Sequence, residues 1–240
     1  MQEVFNKYGC KLDKFSSIKD LEILINKFNK LFNITELHFN FCKDDTNIFV
    51  LINNYYVIKL YSSKQYQKIF DIYSKIKSTN NIERIYYYCS VSNGLIIHDT
   101  YPFLKSDLWN INATISELLN PIFNINGDII TTNIIWNKIT FKKLLLDTSK
   151  ALETLHNEKI VHGDTTPDNI GLRYSDGNFV LFDFGSVKFN EDVINDINRF
   201  LKSLLTTYKS FFQIYHNEIN NIYESVNKGH DFQNCVISMI

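Results

Sequence analysis

The sequence has little glycine (eight residues) and little proline (three) in 240 positions, while Asn, Ile, Lys, Tyr and Phe are heavily used. The favoured residues share AT-rich codons, which points to an AT-rich genome such as that of a large DNA virus, an intracellular bacterium or a protist. Cysteine is sparse too. Cys10, Cys42, Cys89 and Cys235 stand far apart and form no C-x-x-C pair. That argues against a disulfide framework or a zinc site and for a reducing compartment. No charge sign dominates: 25 Lys and Arg against 26 Asp and Glu leave a net charge of −1. General attraction to nucleic acid or to an anionic membrane is therefore not expected. No basic-then-apolar leader opens the chain, and no apolar run approaches the ~20 residues of a membrane span. A soluble protein of the cytoplasm (the host cytoplasm, if the source is viral) is the expectation. Apolar residues are plentiful at 45%, enough for a sizeable core in one or two domains.

Two stretches carry chemistry. Val161-His162-Gly163-Asp164-Thr165-Thr166-Pro167-Asp168-Asn169-Ile170 puts a carboxylate five residues before a carboxamide, on a turn marked by Gly163 and Pro167. Val180-Leu181-Phe182-Asp183-Phe184-Gly185 ends an apolar, strand-like run in a second carboxylate and a glycine. Phosphoryl transfer asks for such a set: one carboxylate to orient and deprotonate a hydroxyl, and an Asn with an Asp to hold Mg²⁺ on nucleotide phosphates. The segment Asn169–Arg173 and the segment Asn178–Phe182 read as a hairpin around Ser175-Asp176-Gly177, which would bring Asn169 and Asp183 together.

Taken together, the H-x-D-x-x-P-x-N run and the D-F-G triplet fourteen residues after it resemble the signatures of the eukaryotic-type protein kinase superfamily. The resemblance covers roughly residues 36–205 and is most specific at 162–185. It implies an α+β, two-lobed kinase-like fold, with a small antiparallel N-lobe sheet bearing one helix and a truncated helical C-lobe. The expected division is an N-terminal extension with a helix (1–35), an N-lobe and hinge (36–104), and a C-lobe (105–240). It also implies ATP and Mg²⁺ as cofactors. Asp164 takes the catalytic position, and Asn169 and Asp183 the metal positions. His162, which by itself reads as structural, packs and orients the loop, with Gly185 and Asp196 as further support. Asp196, in Asn195-Asp196-Ile197, matches the helix Asp that braces the catalytic-loop backbone.

Upstream, Ser17-Ile18-Lys19-Asp20 caps an amphipathic helix running to Phe32, and three antiparallel strands are expected between Glu36 and Tyr61, the last pair turning at Asn53-Asn54. The third strand holds Tyr56-Val57-Ile58-Lys59, similar to the family's V-A-I-K. Alone, Lys59 reads as a solubilising edge-strand lysine; under the resemblance it clamps the phosphates. Residues 63–77 form the next helix, where no Glu lies between Lys59 and Glu83, so Asp71 takes the position that orients Lys59, its other reading being a solvated face residue. Ile85–Ser90 and Leu95–Asp99 read as a hairpin, Asp99–Leu104 as the hinge, and residues 105–135 as a bridge between lobes with turns at Asn120-Pro121 and Ile125–Asp128. Helices are expected over 141–158, 192–205 and 209–228.

Several family features are missing. The Cys42–Asn47 turn, where a glycine-rich loop belongs, has no Gly and carries Asp44 and Asp45. Gly163 stands where regulated kinases carry Arg, Thr166 where most Ser/Thr kinases carry Lys, and no A-P-E segment follows Gly185. The pattern is closer to minimal members, such as the small kinase/ATPase of the tRNA threonylcarbamoyl-modifying complex and phosphotransferases of the aminoglycoside type. Three functions follow. One is an ATP-dependent phosphotransferase acting on Ser/Thr of a protein, on itself or on a small molecule. Another is a kinase-like binder of a regulatory partner, and the third an ATPase subunit.

Overall fold

The computed structural model describes residues 41–43, 48–52, 56–61, 63–76, 80–92, 110–117, 119–130 and 134–238. The expected helix at 17–32, the acidic turn at 44–47, the second strand of the 85–99 hairpin and the hinge at 99–104 lie outside them.

The described chain divides into two compact units, one drawing on residues 41–71 and 84–117, the other on 72–83 and 119–238. The first is a five-stranded antiparallel sheet. Its strands are β1 (Phe41–Lys43), β2 (Ile48–Ile52), β3 (Tyr56–Tyr61), β4 (Ile85–Ser92) and β5 (Asn110–Glu117), in the order β1-β2-β3-β5-β4. Helix α1 (Ser63–Lys75) follows β3. Register pairs Lys59 with Phe49 on one side and Thr114 on the other.

The strand beside β4 corrects the sequence reading. Residues 105–135 were expected to bridge the lobes. Instead β5 supplies the partner, from Ile85↔Ser116 to Ser92↔Asn110, and also pairs along β3. The expected boundary after residue 104 thus falls before a strand that belongs to the first sheet. Residues 110–117 do alternate, with Ile111, Ala113 and Ile115 between polar neighbours. That period-2 pattern marks a strand, but its Asn, Thr and Ser content masks the apolar signal.

The second unit is built on α2 (Lys138–Asn157), whose Asn137 cap accepts the Thr140 N–H at 2.9 Å and whose buried stripe includes Phe141, Leu144, Leu145, Leu152 and Leu155. Behind it lies a three-stranded sheet of β6 (Asn120–Pro121), β8 (Ile170–Arg173) and β9 (Asn178–Leu181). Between β6 and α2, Asn124 closes a turn by accepting the N–H groups of Asn126 and Asp128, with Gly127 at φ +88°. Strand β7 (Ile160–Val161) pairs with β10 (Lys188–Phe189). Asp147 of α2 accepts the Phe179 N–H at 3.0 Å and pairs with Lys143 at 2.7 Å, locking helix to sheet. The segment 80–83 docks on the same sheet, where buried Arg173 donates to the carbonyls of Asn80 (2.6 Å) and Ile82 (3.2 Å).

Helix α3 (Ile194–Leu205) leads to a helical end. One helix was expected over 209–228. The chain instead forms α4 (Lys209–Phe212), a 3-10 turn at Gln213–Tyr215 and α5 (His216–Asn227). Aromatic packing accounts for the break. Phe212 is buried against Phe123, Trp136 and Phe141, while Tyr215 stacks on Phe141 at 4.1 Å, and the 3-10 turn brings both rings to one side. A further helix, α6 (Phe232–Ile237), capped by Asp231, packs on α2 and α5. Among the described residues, no helix is long and apolar enough to cross a membrane.

Candidate functional site

The loop between β7 and β8 carries His162, Asp164 and Asn169. Its bend is enforced at Gly163, which adopts φ +80°. A Cβ there would overlap the carbonyl oxygen of Ser186, so no side chain fits at this position.

Asp196, from the first turn of α3, holds this bend. Its carboxylate accepts the His162 N–H at 2.7 Å and the Gly163 N–H at 2.8 Å, and His156 Nε2 lies 3.0 Å away. Burial alone pushes the Asp196 carboxyl up. The His156 hydrogen bond, the two backbone donors and the field of His162 outweigh it and hold the group below its ordinary 3.8. The buried Thr165 hydroxyl donates to the Asp196 carbonyl at 2.6 Å, closing the same corner from the other side.

His162 is fully buried, and burial lowers its pKa below 6.5 although Asp196, Asp183 and Asp164 work the other way. Its neighbours fix the tautomer. Nδ1 accepts the Asp164 N–H at 3.3 Å, so Nε2 carries the hydrogen and donates to the Phe182 carbonyl at 3.2 Å. A neutral imidazole thereby couples the loop to the strand that delivers Asp183.

Asn169 ends the 3-10 turn Pro167–Asn169. Its amide nitrogen donates to the Asp164 carbonyl (2.8 Å) and to Asp164 Oδ2 (2.9 Å), which leaves Oδ1 as its metal-capable atom. The Asn169 carbonyl accepts the Phe182 N–H at 3.0 Å, so Asn169 and Asp183 sit one residue apart across a hydrogen-bonded crossing. Asp183 lies in the left-handed region at φ +69° and accepts the Gly185 N–H at 3.3 Å. That conformation is tolerated by Asp and is held by Phe184, buried edge-on against Tyr73 (5.2 Å) and His162 (5.0 Å). Gly185 needs no positive φ; a Cβ there would meet Asp183 Oδ1 at 3.4 Å.

Among the described residues, no three His, Cys, Asp or Glu side chains gather as an all-protein metal cage. Mg²⁺ asks for less, since it takes one or two protein oxygens beside phosphate oxygens and water. A carboxylate from Asp183 and a carboxamide oxygen from Asn169 fit that donor chemistry.

Lys59 and Asp71 belong to the first unit. Lys59 is 5% exposed, so it is no solubilising edge lysine. Asp71 is half-buried on α1 and accepts from Gln67 at 2.8 Å.

Two contacts to the loop come from residues that sequence reasoning passed over. Arg199 of α3 places Nη1 3.4 Å from Asp164 Oδ1. Tyr208 donates its hydroxyl to Asp168 at 2.8 Å; burial and then the Asp168 carboxylate push the phenol far above its ordinary 10.0, so it stays a donor. Both are 35 or more positions from their partners, and no local pattern announces such pairs.

No family model matches the chain. The serine/threonine-protein kinase PknA of Nostoc sp. is 35% identical over 68 residues, 27% of this chain and 12% of that protein. The EKC/KEOPS complex subunit BUD32 of Enterocytozoon bieneusi is 32% identical over 115 residues, 45% of this chain and 55% of that protein. The chain thus spans about half or less of the length of these curated relatives. Among solved structures, the Cydia pomonella granulovirus kinase matches with a TM-score of 0.46 at 14% identity, covering 70% of this chain and 60% of that one. In sequence the chain is thus similar to protein kinases over part of its length, and its H-x-D-x-x-P-x-N loop is hydrogen-bonded to the strand that carries its D-F-G.

Proposed function

We propose that the protein is a minimal ATP-dependent phosphotransferase that moves a γ-phosphate onto a hydroxyl, with Ser or Thr of a protein, or of the chain itself, as the favoured acceptor. One observation carries this reading. Asp164, Asn169 and Asp183 are assembled at one loop crossing, with Asn169 bonded both to the Asp164 carboxylate and to the strand before Asp183. Asn169 and Asp183 would hold Mg²⁺, whose charge would neutralise nucleotide phosphates. Asp164 orients the acceptor hydroxyl and receives its proton. His162 stays neutral and fixes the loop, and Asp196 fixes the backbone on which Asp164 stands. In the same reading Lys59 holds phosphates and Asp71 orients it.

The test is incubation of the full chain with γ-labelled ATP and magnesium, scoring label on protein and released phosphate together. Transfer by the native chain, lost in Asp164→Asn while nucleotide binding persists, is the expected result. Undiminished transfer in that variant means that Asp164 is not the base.

A second reading is favoured by the sequence of residues 42–47, which has no glycine and two acidic residues where the resemblance calls for a glycine-rich, phosphate-cradling loop. In that reading the chain binds and restrains a protein partner without turnover. The likeness to a complex subunit supports a related variant, an ATP-hydrolysing accessory subunit.

A further inference from the structure

The candidate loop is short of positive charge. From His162 to Leu172 it contains no Lys or Arg, while Asp164 and Asp168 lie on it and Asp183 stands beside it. A phosphoryl group in flight spreads negative charge over its oxygens and needs a cation near the acceptor side. Arg173, next along the chain, is buried and engaged with the carbonyls of Asn80 and Ile82. Lys188 pairs with Glu191 at 3.1 Å, outside the loop. Arg199 differs from both, because its guanidinium meets Asp164 itself, at 3.4 Å.

That ion pair is weakly held. The two side chains are 54% and 40% exposed and share one long contact, so water screens the pair. As a device for stability it contributes little. The helix that bears Arg199 is in contrast rigidly placed, since Asp196, one turn earlier, is hydrogen-bonded to the loop backbone. Arg199 also lines a cleft of about 540 Å³ together with Gly163, Lys188 and Lys202.

We propose that Arg199 is a further catalytic residue, which exchanges its contact with Asp164 for the transferring phosphoryl group and supplies the positive charge that the loop lacks. This rests on the phosphotransferase reading above. The acceptor oxygen bonds to the γ-phosphorus and gives its proton to the Asp164 carboxylate. The bond between the γ-phosphorus and the bridging oxygen breaks, and its electron pair leaves on ADP. Arg199 stays protonated throughout, and its departure from Asp164 frees that carboxylate to take the proton. An arginine suits this exchange because its planar fork meets a carboxylate and a phosphoryl group with the same geometry.

The experiment uses the full chain with γ-labelled ATP and magnesium, with water and the chain's own hydroxyls as acceptors. It compares the native protein with Arg199→Ala, Arg199→Lys and Asp164→Asn. Arg199→Ala is expected to lower kcat by on the order of 10³ with little change in KM for ATP. Arg199→Lys keeps part of the activity, and added guanidinium ion restores part of Arg199→Ala but none of Asp164→Asn. Calorimetry gives a readout apart from turnover: Arg199→Ala loses affinity for ADP with aluminium fluoride, which mimics the phosphoryl group in flight, and keeps its affinity for ADP alone. Turnover of Arg199→Ala within about twofold of native, alongside an inactive Asp164→Asn, overturns the proposal and leaves the phosphotransferase reading standing. Equal label release by native chain and Asp164→Asn overturns both.

Discussion

At the scale of single residues, the site depends on a histidine kept neutral and a glycine kept bare. His162 has a pKa below 6.5 because burial penalises its charged form. The unfolded chain therefore takes up a proton at pH 6.5 that the folded chain refuses. Stability from this group is complete above that pH and falls as the pH drops through 6.5 toward the folded value. Urea unfolding at pH 7.5 and pH 5.5 should show the native chain losing stability across the interval, and His162→Asn losing less, from a lower starting point. A steeper fall in the variant would place the titration elsewhere. Gly163 was legible in the sequence only as a substitution for Arg. Its necessity rests on the Ser186 carbonyl, twenty-three positions away, which no pattern around residue 163 encodes.

At the scale of elements, the candidate loop is supported from α3. The site residues legible in the sequence were those in compact motifs, where Asp164, Asn169 and Asp183 stand at fixed short spacings. Asp196 was legible too, although it lies 34 positions from His162, because its helix had a recognisable pattern. Arg199 and Tyr208 were not, because a contact formed by one helix turn or one aromatic hydroxyl leaves no periodic trace. The strand β5 was missed for a different reason: its alternation is carried by Ile and Ala among Asn, Thr and Ser, so composition read as loop. The load on Asp196 gives a direct expectation. Asp196→Ala leaves the N–H groups of His162 and Gly163 without their acceptor and should cost about 3–5 kcal/mol in urea unfolding. Amide exchange at residues 162 and 163 should rise more than in β8. Unchanged exchange there would mean that the loop is held by other contacts.

At the scale of the whole molecule, the reading of the chain as a nucleotide-using enzyme makes a thermodynamic claim. ATP with magnesium at a hundredfold excess over its Kd adds about 2.7 kcal/mol, which raises Tm by roughly 5–10 °C for a chain of this size. Asp183→Asn should abolish the magnesium-dependent part of that rise. No shift in the native chain would end the enzyme reading and favour the binder. The two units share one further property. The chain leaves the first after Asp71, lends residues 72–83 to the second and returns at Arg84. Those twelve residues give Phe184 its Tyr73 ring, Arg173 its two carbonyls and Leu181 its backbone partners in Asn81 and Glu83. Neither unit is therefore an unbroken stretch of coding sequence. A gene fragment beginning at residue 119 would encode the whole candidate loop and still lack the ring and the strand edge that set Asp183 in place, so the motif-bearing half is not a heritable module by itself.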